Sequence, residues 1–279
     1  MIDLGAIADG LVRDPAGYWT TGPTAEPISY PAGNSELCAG VEESSFWFAH
    51  RNRAIAAAVA RFPPCGAIFD VGGGNGFVAK ELADRGHDVV LVEPSRSGAA
   101  RAVERGLENV VCGTLSAARF HPRTAGAAGL FDVVEHIEDD TAFLRSLRPL
   151  LTDGAPLYLT VPAFPSLWSA DDRDAGHYRR YRRRILAATL ERAGFEMLYA
   201  TYFFAPQTLP LFVFRALPSR LGVHKHVDAR SIARAHAGGG IGGRMMAPFL
   251  AAELRMIERG RSLPTGTSIL AVARSILTA

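Results

Sequence analysis

A continuous apolar run over residues 67–71 breaks into Gly72-Gly73-Gly74-Asn75-Gly76, then gives way to a helical pattern through Phe77, Val78, Leu82 and Ala83. That junction constrains the fold more than any other stretch of the chain. A short apolar run bounded by glycines reads as a buried strand. The glycines let the backbone turn tightly and approach a ligand, with the N–H groups that open the next helix pointing at it. The alternation repeats downstream. Residues 88–92 read as a strand closed by Glu93, 97–105 as a helix, 110–112 as a short strand and 129–134 as another. Residues 141–151 form a helical pattern with Asp139 or Asp140 as its cap, 156–161 a strand, 183–193 a helix stopped at Gly194, and 195–203 a strand. A helix over 244–258 and a strand over 268–273 complete the series. Strands alternating with helices predict right-handed crossovers and a buried parallel sheet.

Upstream, the first forty residues hold Pro15, Pro23, Pro27 and Pro31 with several glycines and no periodicity, and predict an irregular arm. From residue 41 the pattern becomes helical through Phe46, Trp47, Ile55, Ala58 and Val59 until Pro63-Pro64 stops it, so the folded domain is expected over 41–279. Between the last two strands, 205–264 reads as an insertion that adapts a shared core to an acceptor or builds a homodimer contact. Its apolar stretch, 202–218, is broken by Pro206, Gln207, Pro210 and Arg215, short of the roughly 18 apolar residues a membrane span needs, which leaves contact with a membrane surface open. The start of the chain lacks the pattern of a secretory signal.

Lys plus Arg number 30 against 28 for Asp plus Glu, so no global field attracts nucleic acid, and a dedicated nucleic-acid binder is excluded. The cysteines Cys38, Cys65 and Cys112 are scattered without metal spacing and read as reduced thiols of a cytoplasmic protein. His224, Lys225, His226, Asp228 and His236 lack fixed metal-ligand spacing and read as a surface loop.

Nucleotide dehydrogenases carry Gly-x-Gly-x-x-Gly, but counting from Gly72 puts Phe77 where the third glycine belongs. The pattern here is Asp70-x-Gly72-x-Gly74-x-Gly76, with Glu93 closing the second strand. It resembles the class I S-adenosylmethionine-dependent methyltransferases. The segment from Leu130 through Phe131-Asp132-Val133-Val134-Glu135-His136 to Asp140 is similar to the stretch after the fourth strand in their small-molecule branch. Val161-Pro162-Ala163, Leu167-Trp168-Ser169, Asp172 and Gly176-His177-Tyr178-Arg179-Arg180-Tyr181 are similar to one bacterial group within it. The resemblance covers residues 45–204 and 263–274.

The resemblance implies a Rossmann-like α/β fold, a mainly parallel seven-stranded sheet with helices on both faces and the last strand antiparallel. It implies S-adenosylmethionine as cofactor and a small molecule, apolar or aromatic, as methyl acceptor on oxygen, nitrogen or carbon. In such a family Asp70, Gly72, Gly74 and Gly76 hold the methionine part, and Glu93, followed by Pro94, grips the ribose hydroxyls. An acid usually follows the third strand to meet adenine, and none stands here, which leaves Cys112 and Thr114 at that place. The resemblance places Phe131 and Asp132 near the cofactor; a buried strand residue and a turn former are the other reading of the two. His136, His177 and Asp172 are the candidates for proton transfer, with Trp168, Tyr178 and Tyr181 on the substrate side. A loop hydrogen bond is the other reading of His136. No metal ligand set is assigned. The arginines between Arg179 and Arg184 read as a solvated helix face in preference to a phosphate or carboxylate site, and the helix around Trp47, Phe48, His50, Arg51 and Arg53 resembles a cover for the cofactor, with Trp47 equally readable as a helix-packing anchor. A nicotinamide-dependent oxidoreductase and a non-catalytic cofactor-binding scaffold are the competing readings.

Overall fold

Among the described residues, four of the six strands longer than three residues are buried on every residue: β3 (Ile68–Val71), β4 (Val89–Glu93), β6 (Ala127–Phe131) and β7 (Pro156–Pro162). Strands of that kind need cover on both faces, and they lie at the centre of one sheet. The computed structural model describes residues 2–22, 45–223 and 241–276. Among these, β1 (Val12–Arg13), β2 (Trp19–Thr20), β5 (Val110–Cys112), β8 (Phe195–Phe203) and β9 (Ser268–Ser275) complete a nine-stranded sheet in the order β1-β2-β5-β4-β3-β6-β7-β9-β8. From β2 to β7 the pairing is parallel, whereas β9 runs antiparallel between β7 and β8.

The helices are α1 (Leu4–Ile7), α2 (Phe46–Arg61), α3 (Phe77–Asp84), α4 (Arg96–Glu104), α5 (Leu115–Ala118), α6 (Asp140–Ser146), α7 (Ala170–Asp174), α8 (Arg183–Ala193), α9 (Thr208–Leu211), α10 (Leu217–Arg220) and α11 (Ile241–Glu258). Two apolar clusters, one built around Phe69, Leu130 and Leu159 and the other around Ile68, Leu91 and Leu270, cover the sheet's opposite faces, as strand alternation dictates. Local chemistry sets several boundaries. The Ser45 hydroxyl accepts from the Trp47 N–H at 3.2 Å, Asp139 accepts from the Ala142 N–H at 2.9 Å, and Gly194 closes α8 in the left-handed region.

The structure corrects three expectations. Residues 2–22, expected as part of an irregular arm, carry α1 and the two strands that extend the sheet beyond β5; the rest of the arm lies outside the described residues. The strand expected to run to residue 134 stops at Phe131, because Asp132 takes φ 60° and residues 134–136 form a 3-10 turn. The helix expected to run to 151 ends at Ser146, and Pro149 sits in a separate 3-10 turn.

Chain order reverses at β3. It runs outward through β4 to β5, then returns to β6 on the other side, which opens a crevice beyond the carboxyl ends of β3 and β6. Ligands of open α/β sheets bind at such a switch point.

Candidate active site

The glycine turn lies at that crevice. The Gly72 N–H donates to the Val92 carbonyl at 2.7 Å and the Gly76 N–H to Gly73 at 3.0 Å, which fixes the loop between β3 and α3. The two faces of the turn differ. A Cβ at Gly73 would lie 2.6 Å from an Asp70 carboxylate oxygen, whereas a Cβ at Gly74, where φ is 56°, meets nothing within 4 Å. The inner face is therefore packed on Asp70 and the outer face is open at Gly74. Gly98 on α4 completes the cradle, since a Cβ there would stand 2.9 Å from the Gly74 carbonyl oxygen.

Two acids back the turn. Asp70 is fully buried and neither of its oxygens accepts a well-formed hydrogen bond. Burial raises its carboxyl to about 7, against the pull of the Arg51 charge. Glu93 accepts from the Gly74 N–H at 2.9 Å and from the Ser95 N–H at 2.8 Å; burial raises its carboxyl too, against both bonds. Across the crevice, Arg51 of α2 donates to Asp132 at 2.6 Å while its guanidinium lies 5.3 Å from the Trp47 ring and 5.1 Å from the Phe48 ring. The other Asp132 oxygen accepts from the Thr160 hydroxyl at 3.0 Å.

A second polar cluster stands beyond β6 and β7. His136 and His177 lie edge to face with ring centroids 4.7 Å apart. Asp172 accepts from His177 Nδ1 at 3.0 Å, from Arg180 Nε at 2.7 Å and from the Ser169 N–H at 2.8 Å. Burial alone would raise Asp172, but the His177 bond and the Arg180 guanidinium outweigh it and hold the carboxyl below its ordinary value. Burial, then the neighbouring His177, lowers His136 to about 4, so His136 is neutral at pH 7. Glu135 is buried with Oε2 unpartnered, and burial followed by the Asp132 charge raises it well above the ordinary carboxylate value. One ligand atom each from Glu135, His136 and His177 lies within 4.8 Å of the others, close enough to share a proton or a cation.

Residues 47–200, more than half of the chain, match the family described as "Methyltransferase domain". The chain belongs to that family. It is a class I S-adenosylmethionine-dependent methyltransferase. A ubiquinone biosynthesis O-methyltransferase of Xanthomonas axonopodis pv. citri (strain 306) is 32% identical over 158 residues; the match spans 50% of this chain and 66% of the relative, just short of two thirds of its length. Among solved structures, phosphoethanolamine N-methyltransferase 2 of Haemonchus contortus in complex with S-adenosyl-L-methionine superposes with a TM-score of 0.54 at 16% identity, over 92% of this chain and 61% of that one. A Thermotoga maritima S-adenosylmethionine-dependent methyltransferase does so with a TM-score of 0.53 at 16% identity, over 86% of this chain and 97% of that one. At such identities the structural likeness concerns the fold.

The residues present fit the methyl donor of such a methyltransferase. A fully buried carboxyl without a well-formed hydrogen bond, behind a glycine face open at one residue, calls for a cationic or hydrogen-bonding ligand, which the amino-acid end of S-adenosylmethionine provides. Around this cradle the structure brings together Asp70, Gly72, Gly74, Gly76 and Glu93. Pro94 is half-buried beside them, and its carbonyl accepts from the Cys112 thiol at 3.9 Å. Thr114 is spent elsewhere as the cap of α5, accepting from the Ala117 N–H at 3.2 Å. Phe131 is buried and its ring crowds Gly129, and Asp132 stands at the crevice, tied to Arg51.

On the acceptor side the expected group divides. Tyr178 is 46% exposed and Trp168 half-buried, but Tyr181 is fully buried and donates its hydroxyl to Asp140 at 2.8 Å, which makes it a packing residue. The arginine run divides: Arg182 and Arg184 are exposed, whereas Arg180 pairs with Asp172, Arg179 pairs with Asp140 at 2.9 Å, and Arg183 lies 4.9 Å from the Tyr202 ring. His224, Lys225, His226, Asp228 and His236 lie outside the described residues. Sequence reasoning missed Gly98, the partnership of Arg51 with Asp132, and Glu253. Glu253 accepts from His50 Nε2 at 2.7 Å and from the N–H groups of Phe204 and Ala205 at 2.7 and 2.9 Å. Only the small residue at 98 in a helix otherwise rich in alanine gave any signal of these three.

Proposed function

We propose that the protein transfers a methyl group from S-adenosylmethionine to an oxygen atom of a small apolar or aromatic molecule, with His177 taking the acceptor's proton. When bound, S-adenosylmethionine supplies a methyl group on a positively charged sulfur. The chain's own work is to orient that donor and free the acceptor's lone pair, and alignment alone is worth about 7–11 kcal/mol of barrier. The carrying observation is the Asp172–His177 pair. An ionised Asp172 accepts a hydrogen bond from the Nδ1–H of His177, which fixes that tautomer and leaves Nε2 with a lone pair for the acceptor's proton. The neutral His136 beside it, with basicity depressed by burial, suits a hydrogen-bonding role better than that of the base.

The Xanthomonas relative is named for O-methylation, which favours oxygen over nitrogen or carbon. The free thiols of Cys65 and Cys112 suit a reducing compartment, so the cytoplasm is the proposed location.

Calorimetric titration with S-adenosylhomocysteine and, separately, with NADH tests the donor site; binding of NADH alone would return the chain to the oxidoreductase reading. Incubation with methyl-labelled donor and a cell extract tests transfer, since tight binding of the donor without transfer of label supports a scaffold instead.

A further inference from the structure

The insertion after β8 exposes apolar side chains in a regular pattern. From Thr208 to Arg220 the chain is helical throughout, with a π turn at Phe212–Ala216 between α9 and α10. Leu209, Val213, Leu217 and Leu221 recur at every fourth residue down one side, and all four are exposed, as is Phe214 at 77%. Ala216, on the inner side, is fully buried. The Gln207 amide reaches the Met246 sulfur at 3.7 Å, which sets α11 alongside, and one turn further on Phe249 is also exposed, at 64%. Beside the run lies an open depression of about 400 Å³ lined in part by Leu167, Ala205, Thr208, Leu209 and Phe212. Helices of soluble proteins turn such a stripe toward a core, and an exposed contiguous patch of this kind marks a binding surface.

Charge identifies the occupant. Within residues 205–250 the sequence carries six cations, Arg215, Arg220, Lys225, Arg230, Arg234 and Arg244, against one acid, Asp228, while the whole chain has a net charge of +2. The insertion is thus the basic part of a chain that is otherwise acidic. Arg215 is partly spent on Asp171 at 2.8 Å, and Arg220 donates to the Ser166 carbonyl at 2.8 Å at the margin of the stripe. A second copy on this face would bring two basic segments together. An apolar stripe in a segment whose sequence is this basic instead matches an interfacial helix on anionic lipid. No described helix is long and apolar enough to cross a membrane, so such a contact lies along the surface.

We propose that residues 208–221, with Phe249, seat the protein on an anionic lipid bilayer, the apolar stripe among the acyl chains and the positive charge of the segment's sequence drawing it to the headgroups. Flotation of the full chain with vesicles of phosphatidylcholine alone, and of phosphatidylcholine with phosphatidylglycerol, tests it. Expected is binding to the anionic vesicles at about 0.05 M salt, weakened at least tenfold at about 0.5 M salt or in the neutral vesicles. The double variant Phe214→Ser, Leu221→Ser should lose at least tenfold in vesicle affinity while its S-adenosylhomocysteine affinity, measured by calorimetry, stays unchanged and reports an intact fold. Leu209→Ser with Leu217→Ser gives a second variant should the first fail that check. Absence of flotation with anionic vesicles at low salt overturns the proposal. So does a dimer, detected by light scattering, that the double variant dissolves while vesicle binding is unaffected.

Discussion

Two residues before the glycine turn, the Asp70 carboxyl sits fully buried without a well-formed hydrogen bond, and burial raises it to about 7. Because the unfolded chain releases this proton near pH 4 and the folded chain keeps it, Asp70 subtracts stability progressively as pH rises from about 4 to 7. Asp70→Asn is therefore expected to stabilise the donor-free protein at pH 8, on the order of 2–4 kcal/mol, with the gain vanishing toward pH 4. Thermal denaturation across that range checks the sign. The same variant should weaken S-adenosylhomocysteine binding. In the native protein, affinity should rise with pH up to about 7 as Asp70 gives up its proton to meet the ligand's ammonium group, and calorimetry should find that dependence gone in Asp70→Asn. For proton transfer, His177→Ala is expected to lower kcat about 10²- to 10⁴-fold with donor affinity intact, as measured by steady-state kinetics beside the same titration. Asp70 and Glu93 were legible in the sequence because their chemistry is tied to a strand end and a glycine spacing. Arg51 with Asp132 was not, since its partners are 81 residues apart and only the fold joins them.

Among elements, α2 and α11 are joined by one buried acid. Glu253 is 3% exposed and accepts from His50 on α2 and from two backbone N–H groups at the end of β8, where Phe204 takes φ 59° and stacks on Trp47 with centroids 5.1 Å apart. Glu253→Ala would leave two buried donors and a partly buried one without an acceptor, a loss of about 3–5 kcal/mol. Glu253→Gln, which keeps one carbonyl acceptor, should cost less. Chemical denaturation of both variants, compared with the native chain, reads the difference. If the pair only decorated the surface, Ala and Gln would behave alike. The periodicity of α8 and the alternation around β8 fixed their bounds from sequence, because each pattern is long enough to carry its own period. No local pattern could reveal that an acid on α11 holds the junction between β8 and the insertion, since nothing near Glu253 in sequence names an acceptor of distant N–H groups.

At the scale of the molecule, the sheet extends past the strand at which a seven-stranded sheet would end. β2 pairs in parallel with β5 through Trp19 and Val111, Thr20 and Cys112, and the Thr21 N–H donates to the Cys112 carbonyl at 3.2 Å. β1 then closes the edge with two residues, short enough to offer little template for another chain. Two-residue strands in a stretch rich in proline and glycine have no readable period, which is why this extension was invisible in the sequence while the rest of the sheet was legible. Its removal has a definite consequence. A chain lacking residues 1–22 loses the burial of Leu4 at 1% and Tyr18 at 5% exposure, worth on the order of 3–5 kcal/mol, and leaves β5 paired on its β4 side alone, with its outer edge open. Because Cys112 ends β5 and packs by Pro94, the disturbance should reach the donor cradle. We expect a lower unfolding temperature, aggregation that grows with protein concentration, and weaker S-adenosylhomocysteine binding, read by thermal unfolding at several concentrations and by calorimetry. Unchanged stability together with unchanged affinity would make the extension a decoration on a self-sufficient seven-stranded core.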